Sequence, residues 1–504
     1  MALIGSILKG TAKLGNQFEE KKRFDYSLQT KVLQKLLDKA KGTDFGRTYN
    51  FKEILQSTSP LHEFSSAIPI TTYEEFYEKW LTRTLQGEKD VIWPGRMKYF
   101  ALSSGTSGSP SKRIPVSETF IKNFQRVSLT QMLTLHDYGM ETDFYEKSLL
   151  IIGGSSQLKD MELYKEGDLS GILAGKIPFW FSKFSKPGKT ISRLPNWEMK
   201  LGAIVKEAPK WNIGIISGVP AWVEMVLKSI IKTYNLNSIH DIWPSLKVYA
   251  HGGVAIDPYK PELMKLFGQE VFFQETYLAS EGYFAYQKGG NRKGMRLLLN
   301  SGVYFEFIPF DRNNFDETGK LRPEAVALPL HEVKEGVDYA LVVSTCSGLW
   351  RYLIGDTIRF TSLLDYEIRI TGRITHFLSI CGEHLSVDNM NKGIQQTAEK
   401  LGIHIPEYTA HAVKNGKIRH HWYLGTDKIV SDQEVALLLD QELQKINDDY
   451  ASVRKHTLDK PTVTLLPKEY FIDFLARKGK LGGQNKFPRV MKPEQLEEWK
   501  SFLG

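Results

Sequence analysis

The sequence predicts an α/β protein with a large N-terminal α/β domain and a small α+β C-terminal lid domain. Three observations predict this fold. Short apolar strands alternate with helical patterns from about residue 96 to residue 277, consecutive strands follow between residues 296 and 373, and a strand–helix–strand pattern occupies residues 422–471. The 504 residues also exceed the ~250–300 at which a single hydrophobic core stops growing, so at least two domains are expected.

The alternating part predicts a parallel sheet that helices cover on both faces. Its strands are apolar along their whole length, which is typical of strands buried on both sides. The predicted strands are 148–154, 212–218, 246–253 and 270–277, and the predicted helices are 196–208, 221–234 and 258–268. A further amphipathic helix is predicted over residues 16–40, where apolar side chains recur at helical spacing (Phe24, Leu28, Val32, Leu36 and Leu37).

The pattern changes after residue 296, where strands follow one another without intervening helices. Consecutive strands predict an antiparallel sheet or β-barrel appended to the parallel core. A second unit is expected to begin near Thr371, so the predicted domains are residues 1–370 and residues 371–504. Within the second domain, 422–427 is a predicted strand, 432–451 a predicted helix and 461–471 a predicted strand.

The composition is that of an ordinary globular protein, with 41% hydrophobic and 25% charged residues. The two cysteines, Cys346 and Cys381, cannot form a disulfide framework and lack the spacing of a zinc site. No run of about 18 apolar residues could span a bilayer, and the N-terminus lacks the apolar core of a signal peptide. We therefore expect a cytoplasmic protein without stable membrane association, and a monomer because no coiled-coil repeat is present.

The net charge is +8, and the C-terminal tenth of the chain contributes most of it. From Ala451 onward there are 11 basic and 6 acidic residues. Three interpretations fit this excess of basic residues. It can belong to a lid that closes over a polyanion, to an ordinary solvated surface, or to a surface that binds nucleic acid. Because no nucleic-acid recognition motif accompanies the charge, no nucleic-acid partner is expected.

The first candidate site is a segment rich in hydroxyl groups and glycine, SSGTSGSPSK, at residues 103–112. Glycines let the backbone approach a phosphate closely, and exposed N–H groups, hydroxyls and Lys112 can bind its oxygens. The segment does not match the Walker A pattern GxxxxGK[ST]. Its alternative interpretation is a flexible surface loop, in which runs of Ser and Gly are common.

The second candidate site is YLASE, residues 277–281, at the end of the predicted strand 270–277. In an open α/β sheet, ligands bind beyond the carboxyl ends of the strands. Tyr277 can stack on a base, Ser280 can reach a phosphate or carboxylate, and Glu281 can hold Mg²⁺. The alternative interpretation is a turn with a core tyrosine and a solvated glutamate.

Three shorter signals follow. Asp356 stands behind Gly355, where its carboxylate can accept both hydroxyls of a ribose, although Gly-Asp is also a common turn. Gly372-Arg373 lies at the predicted domain boundary. The Gly-rich segment GGQNKFPR, residues 482–489, carries Lys486 near the C-terminus.

The order of these five signals resembles the adenylate-forming superfamily, and within it the GH3 acyl acid–amido synthetases. The narrower resemblance covers nearly the whole chain and rests on SSGTSG with Lys112, SGILAGKIPFW (170–180), SGVPAW (217–222), the strand ending HGG (251–253), YLASEGYF (277–284) and GQNKFPR (483–489). Three features depart from the superfamily pattern. Ser111 separates Pro110 from Lys112, GQNKFPR replaces the usual C-terminal lysine motif, and His376 and Ser379 stand where Asp and Lys are more typical of the hinge.

The resemblance implies ATP and Mg²⁺ as cofactors and assigns a role to each matching residue. The β- and γ-phosphates would be held by Ser103, Ser104, Gly105, Thr106, Ser107, Gly108 and Lys112. Tyr277 would stack on adenine, with Gly252 and Gly253 lining the other face. Ser280 would contact the α-phosphate, Glu281 would ligate Mg²⁺, Asp356 would bind the ribose hydroxyls and Arg373 would assist at the ribose or phosphate. The catalytic lysine would be Lys486, which would reach the α-phosphate and the incoming carboxylate.

The resemblance also implies a reaction. A carboxylic acid would be activated as an acyl-adenylate with release of pyrophosphate, and the acyl group would then pass to an amino acid to form an amide. We therefore expect an AMP-forming acid–amino acid ligase in which residues 371–504 act as a mobile lid over the adenylation domain. The alternatives are transfer to a thiol such as coenzyme A and a non-catalytic nucleotide-binding sensor.

The acyl pocket is assigned less directly than the nucleotide site. Trp180, Trp222 and Phe284 are candidate wall residues, but aromatic side chains at such positions are also common in cores. His251, at the end of a predicted strand, can serve as a base or as a structural histidine, and the structural interpretation is expected.

Overall fold

The computed structural model describes most of the chain, and the elements are numbered within that part. The described residues are 26–103, 112–177, 182–194, 196–289, 292, 294–316, 319–374, 377–378, 383, 385–413, 418–479 and 487–504. The α-helices are α1 (Ser27–Ala40), α2 (Asp44–Thr48), α3 (Phe51–Gln56), α4 (Pro60–Ala67), α5 (Tyr73–Phe76), α6 (Thr82–Leu85), α7 (Glu118–Leu133), α8 (Leu169–Ala174), α9 (Lys189–Ser192), α10 (Trp197–Glu207), α11 (Pro220–Tyr234), α12 (Lys260–Phe267), α13 (Val387–Leu401), α14 (Asp432–Ile446), α15 (Asp448–His456), α16 (Glu469–Arg477) and α17 (Pro493–Leu503).

The strands are short, and most lie between residues 99 and 373. They are β1 (Tyr99–Ser103), β2 (Lys112–Val116), β3 (Ser148–Ile152), β4 (Lys159–Asp160), β5 (Lys165–Gly167), β6 (Ser185–Lys186), β7 (Ile213–Gly218), β8 (Val248–Gly252), β9 (Phe272–Ala279), β10 (Gly282–Tyr286), β11 (Met295–Leu297), β12 (Val303–Pro309), β13 (Asp338–Thr345), β14 (Tyr352–Ser362), β15 (Glu367–Arg373), β16 (Phe377–Leu378), β17 (Leu385–Ser386), β18 (Glu407–Val413), β19 (Arg419–Gly425) and β20 (Thr462–Leu466).

One large mixed sheet organises the N-terminal part of the protein. Its described strands follow the order β12-β13-β14-β15-β11-β10-β9-β8-β7-β3-β6. Pairing is parallel from β6 to β9 and antiparallel from β9 to β12. The antiparallel strands therefore continue the parallel sheet, because β9 pairs in parallel on one side and in antiparallel on the other.

The helices over the parallel half form where apolar residues recur every three or four positions, as α11 illustrates. Pro220 occupies the first turn, where its missing N–H is not needed, and Asn235 ends the helix in the left-handed region at φ 50°. The buried face consists of Trp222, Val223, Val226, Leu227 and Ile230. This face joins side chains of α10 and α12 in one hydrophobic cluster against the parallel strands.

Helices α1 to α6 pack against the antiparallel half of the sheet. The centre of this core is Trp350, whose ring is fully buried and lies 5.7 Å from that of Phe45 and 4.8 Å from that of Phe51. A second, smaller sheet with the order β2-β1-β5-β4 borders the same core through Phe100 and Ala101 of β1.

The C-terminal residues build cores of their own. Strands β18, β19 and β20 form a three-stranded sheet, and α13 and α14 pack on it around Trp422 and Leu439. Ser386 caps α13 by accepting a hydrogen bond from the N–H of Asn389 (3.2 Å). A further aromatic cluster around the fully buried Trp499 joins α16 and α17 to this sheet.

The predicted elements of the parallel half all occur, with shifts of one or two residues at their ends. The predicted helix 16–40 is present from Ser27, and residues 16–25 lie outside the described part. Two C-terminal predictions are wrong in their extent. The helix 432–451 is interrupted at Asn447, which caps α15 by accepting from the N–H of Tyr450 (2.7 Å). The strand 461–471 stops at Leu466, and α16 begins at Glu469 because its apolar residues recur at helical spacing.

Across the described residues, no helix is both long enough and apolar enough to cross a membrane.

Candidate active site

The candidate site lies at the edge of the large sheet where parallel strands end. β8 ends at Gly252, and β9 ends at Ala279, next to it in the sheet. Ser280 and Glu281 form the two-residue turn between β9 and β10, with Ala279 and Gly282 directly opposite each other. The predicted residues Gly252, Gly253, Ser280 and Glu281 are therefore neighbours at one edge, as expected for ligand-binding loops of an open sheet.

The base of the predicted phosphate loop lies on two paired strands. Ser103 is the last residue of β1 and Lys112 the first of β2, and they face each other in the antiparallel register. The hairpin thus returns the chain so that both ends of the segment 103–112 are side by side. Ser104, Gly105, Thr106, Ser107 and Gly108 lie outside the described residues, so their predicted role stays a prediction.

Asp356 is the centre of a hydrogen-bonded group of three predicted residues. The hydroxyl of Tyr277 donates to its Oδ2 (2.7 Å), and Nε of Arg373 donates to its Oδ1 (2.8 Å). Asp356 and Arg373 are directly opposite on β14 and β15, and a register shift between Thr357 and Ile358 follows this pair. The sheet therefore brings together residues that are 79 and 17 positions apart in the chain.

Tyr277 is more deeply buried than a base-stacking residue requires. Its side chain is 3% exposed, and its ring packs edge-to-face on Phe284 at 5.0 Å. Burial, followed by the adjacent Asp356 carboxylate, raises the pKa of Tyr277 well above its usual value, so the hydroxyl remains a donor. Stacking on adenine would require one face of this ring to be uncovered, and its role toward Asp356 was not predicted from the sequence.

Glu281 is a buried carboxylate surrounded by charges. It is 6% exposed. Burial raises the pKa of Glu281 to about 7, and the Asp356 carboxylate adds to this effect while Arg373 and Lys112 oppose it. A bound cation strongly stabilises the ionised form of such a buried carboxylate, because the cation offsets the cost of burying the charge.

Lys112 reaches the same group of charges from the other side. Burial lowers the pKa of Lys112, and the carboxylates of Glu74 and Glu281 oppose that shift. Its ammonium lies over the ring of Tyr73, 5.0 Å from the centroid. Tyr73 in turn accepts a hydrogen bond from the N–H of Arg113 (2.8 Å). Sequence reasoning missed Tyr73 and Glu74, because they lie on a four-residue helix without any motif.

Close backbone approach explains the Gly-Gly sequence at the end of β8. A Cβ on Gly252 would lie 2.4 Å from the carbonyl oxygen of Thr276, which no side chain tolerates. Gly253 has φ +87°, a conformation that disfavours other residues. The preceding His251 is 2% exposed. Burial lowers the pKa of His251 to about 3, so it is neutral at physiological pH, which supports the structural interpretation.

The remaining candidates divide between the core and the part of the chain that is not described. Trp222 packs on Trp197 at 4.9 Å within the parallel-half core, and Phe284 is fully buried. Both are core residues, which is the alternative that the sequence left open. Lys486, Trp180, His376 and Ser379 lie outside the described residues.

Taken together, the described side chains bring two basic groups, Lys112 and Arg373, close to two carboxyl groups, Glu281 and Asp356. Cations at a site edge stabilise phosphate oxygens, and a buried carboxylate attracts a metal ion. Among the described residues, no cluster of three or more His, Cys, Asp or Glu side chains is placed to hold a metal ion. The two basic side chains therefore suit a ligand that carries phosphate oxygens.

Three family models match the chain along its length: the GH3 family N-terminal domain over residues 15–201, the central domain over residues 296–373 and the C-terminal domain over residues 388–495. The chain belongs to the GH3 family. This match confirms the family that the ordered motifs predicted. The central-domain match ends at Arg373, the residue that pairs with Asp356.

Curated GH3 relatives are distant but match most of the chain. An indole-3-acetic acid-amido synthetase of Arabidopsis thaliana is 23% identical over 498 residues, which are 85% of this chain and 80% of the relative. A jasmonoyl–L-amino acid synthetase of Oryza sativa subsp. japonica is 21% identical, and the match covers 95% of this chain and 94% of the relative. By name, the first relative is an acid-amido synthetase and the second joins an acyl group to an amino acid.

A solved GH3 structure supports the fold. The GH3.15 acyl acid amido synthetase superposes with a TM-score of 0.78 at 16% identity, covering 98% of this chain and 96% of that structure. This likeness confirms the predicted fold class of a large α/β domain with a smaller C-terminal domain. The choice that the sequence left open, barrel or antiparallel sheet, is decided by the eleven-stranded sheet among the described strands.

Proposed function

We propose that this GH3 protein uses ATP to activate a carboxylic acid as an acyl-adenylate and then joins the acyl group to an amino acid. The observation that carries the proposal is the convergence of Lys112, Glu281, Asp356 and Arg373 at one sheet edge in a chain of this family. The relatives named above are amido synthetases, which supports an amino acid as the acceptor.

The chemistry explains why such a site is needed. A carboxylate is a poor electrophile, because its negative charge repels nucleophiles and oxide is a poor leaving group. Attack of a carboxylate oxygen on the α-phosphorus of ATP forms a mixed anhydride and expels pyrophosphate. Attack of an amine on the acyl carbon then forms the amide, expels AMP and releases one proton. The protein must orient the reactants and stabilise charge on the phosphoryl oxygens.

The roles that we propose follow the placement of the described residues. Lys112 and the segment beginning at Ser103 contact the terminal phosphates. Asp356, held by Tyr277 and Arg373, accepts the ribose hydroxyls. Ser280 contacts the α-phosphate. Gly252 and Gly253 line one face of adenine, and Tyr277 contributes through the hydroxyl that orients Asp356.

Glu281 is the residue that we propose for Mg²⁺. Its buried carboxylate fits a hard cation, and Mg²⁺ commonly takes one or two carboxylates together with phosphate oxygens and water. When bound, the cation neutralises charge on the nucleotide phosphates. Glu281 itself would hold and orient the cation from the turn between β9 and β10.

We further propose a monomeric cytoplasmic enzyme with residues 1–370 as adenylation domain and residues 371–504 as lid. The separate hydrophobic clusters of the C-terminal residues support this division. The basic C-terminal surface is then used for ATP and not for nucleic acid, and no stable membrane association is proposed.

Nucleotide product analysis tests the proposed function. Protein, ATP and Mg²⁺ are incubated with pooled aromatic and aliphatic acids, with and without pooled amino acids. Acid-dependent AMP and pyrophosphate, together with a new amide mass, are expected. Lys486→Ala is expected to lower AMP formation by at least about 100-fold, since a charge that stabilises the transition state is lost.

Other product patterns contradict the proposal in different ways. AMP without an amide, in the presence of every amino acid, would direct the search to thiol acceptors. Formation of ADP alone would contradict adenylation, and tight ATP binding without turnover on a broad acid pool would indicate a nucleotide sensor.

Mg²⁺ binding is expected to weaken as the pH falls through 7. Burial raises the pKa of Glu281 to about 7, so a growing fraction of this carboxylate is protonated at lower pH and cannot bind a cation. The apparent Mg²⁺ affinity should fall by up to about tenfold per pH unit below this value. Calorimetric titration of the nucleotide-bound protein measures it, with Glu281→Gln as control, because that variant retains only the pH dependence of the nucleotide. An identical pH dependence in both proteins would contradict the assignment.

A further inference from the structure

A buried polar contact joins the N-terminal and C-terminal parts of the chain. The hydroxyl of Tyr259, the residue before α12, donates to Oε1 of Glu407, the first residue of β18. Nη1 of Arg489 donates to the other carboxylate oxygen, Oε2, at 2.8 Å. Tyr259 is 3% exposed, and the side chains of Glu407 and Arg489 are 15% and 13% exposed. Both oxygens of Glu407 are therefore engaged in a nearly water-free environment.

Arg489 and Glu407 belong to one rigid unit. The N–H of Ala410 donates to the carbonyl of Arg489, and the N–H of Met491 donates to the carbonyl of Ala410, each at 3.0 Å. The guanidinium of Arg489 also stacks on the ring of Tyr408 at 4.5 Å and donates to its carbonyl oxygen at 3.1 Å. The segment that follows Lys486 in the sequence is thus attached to β18 by backbone and side-chain bonds.

Tyr259 belongs to the opposite unit and is tied to the candidate active site. It lies six residues after Gly253 and packs with the parallel-half core. Its N–H donates to the carbonyl of Ile256 (2.9 Å), which fixes the turn between Gly253 and α12. Beside it, His404 hydrogen-bonds through Nε2 to the carbonyl oxygen of Pro258. The contact therefore joins the loop after the Gly-Gly strand end to the C-terminal sheet.

The charges of this group depend on one another. Burial alone lowers the pKa of Arg489, but the Glu407 carboxylate and Tyr259 outweigh it and leave the pKa raised. Burial raises the pKa of Tyr259 well above its usual value, so its hydroxyl always carries the proton that it donates. A buried ion pair is favourable where its remaining hydrogen-bonding capacity is satisfied. Tyr259 supplies that bond to Oε1 only while the two units are in contact.

We propose that Tyr259, Glu407 and Arg489 are positioning residues that hold the C-terminal unit in the arrangement used for adenylation. The proposal rests on the proposed function above. Lys486 precedes Arg489 by three residues in the sequence, so only a short stretch of chain connects the two. Fixing Arg489 against Tyr259 limits where Lys486 can be placed, and only adenylation requires Lys486 at the α-phosphate. The contact must break when the C-terminal unit turns for transfer to the amine.

Tyr259→Phe is the decisive variant, because it removes the hydrogen bond from Tyr259 to Glu407 and leaves the Glu407–Arg489 pair intact. Acid-dependent ATP–pyrophosphate exchange is expected to slow by about tenfold, because the hydrogen bond from Tyr259 to the charged Glu407 is lost. Single-turnover transfer from added acyl-adenylate to an amino acid is expected to be unchanged or faster. Glu407→Gln should shift the two half-reactions in the same directions.

The control is Tyr234→Phe, which removes a hydroxyl that donates to the carbonyl of Val205 (3.1 Å) at a site that is 37% exposed. It should change neither half-reaction. If Tyr259→Phe slows both half-reactions equally, or leaves exchange unchanged while its melting temperature matches wild type, the positioning role is wrong. If wild-type protein shows no acid-dependent exchange with a broad acid pool, the proposed function fails instead.

Discussion

Replacing Glu281 with glutamine is expected to lower acid-dependent AMP formation by about 100-fold to 1,000-fold at pH 8, which is the range for losing a group that stabilises transition-state charge. The change keeps the shape of a side chain that is 6% exposed but removes the charge that we propose holds Mg²⁺. At pH 8 the wild-type carboxylate is mostly ionised, because burial raises the pKa of Glu281 only to about 7. The measurement is the initial rate of pyrophosphate release at saturating ATP and acid.

The fold of this variant should be retained. A neutral amide in a buried turn costs less desolvation than a carboxylate, so the melting temperature is expected to match or exceed that of wild type. Glu275→Gln is the matched control, because burial also raises the pKa of Glu275 and this residue lies on β9, the strand that leads into the turn with Glu281. It should leave the rate within about twofold of wild type. Equal losses in the two variants would show that Glu281 acts through the stability of β9 and not through the cation.

The residues of the candidate site that could be predicted from the sequence are those that lie in short segments with a recognisable chemical pattern. Tyr277 lies near the end of β9, and Ser280 and Glu281 follow this strand. The rule that ligands bind beyond the carboxyl ends of strands places them together with Gly252. Asp356 was predicted from Gly-Asp alone, and its pairing with Arg373 was not. That pairing depends on the register of β14 and β15 and on a bulge within it, which no periodicity of the sequence specifies.

Long-range packing accounts for what sequence reasoning missed. Tyr73 and Glu74 approach Lys112 because α5 packs beside the antiparallel half, yet their segment carries no motif. The contact of Tyr259 with Glu407 joins residues 148 positions apart. The appended antiparallel sheet proved continuous with the parallel one because β10, the strand after Glu281, pairs with β9. In the sequence, β10 appears only as the end of the YLASEGYF motif, residues 277–284.

Replacing Asp356 with asparagine is expected to raise the KM for ATP by about tenfold to 100-fold, with a smaller effect on kcat. Asp356 accepts from Tyr277 at 2.7 Å and from Arg373 at 2.8 Å, so both carboxylate oxygens are oriented before a ribose arrives. An amide has one acceptor oxygen and would present its NH₂ group to a donor. One hydrogen bond to a charged group is lost, which is worth about 1.5–3 kcal/mol. Because the proposed ribose contact would be made in both the ground state and the transition state, most of the loss should appear in KM.

The chain offers a matched control for this substitution. Asp338 accepts from Arg359 at 2.8 and 2.7 Å on the neighbouring strand pair of the same sheet. Its side chain is 22% exposed, compared with 16% for Asp356. Asp338→Asn should reduce the melting temperature by a similar amount and leave the KM for ATP unchanged. If the two variants raise the KM equally, Asp356 only supports the sheet; if Asp356→Asn alone raises it, the carboxylate held by Tyr277 and Arg373 binds the nucleotide.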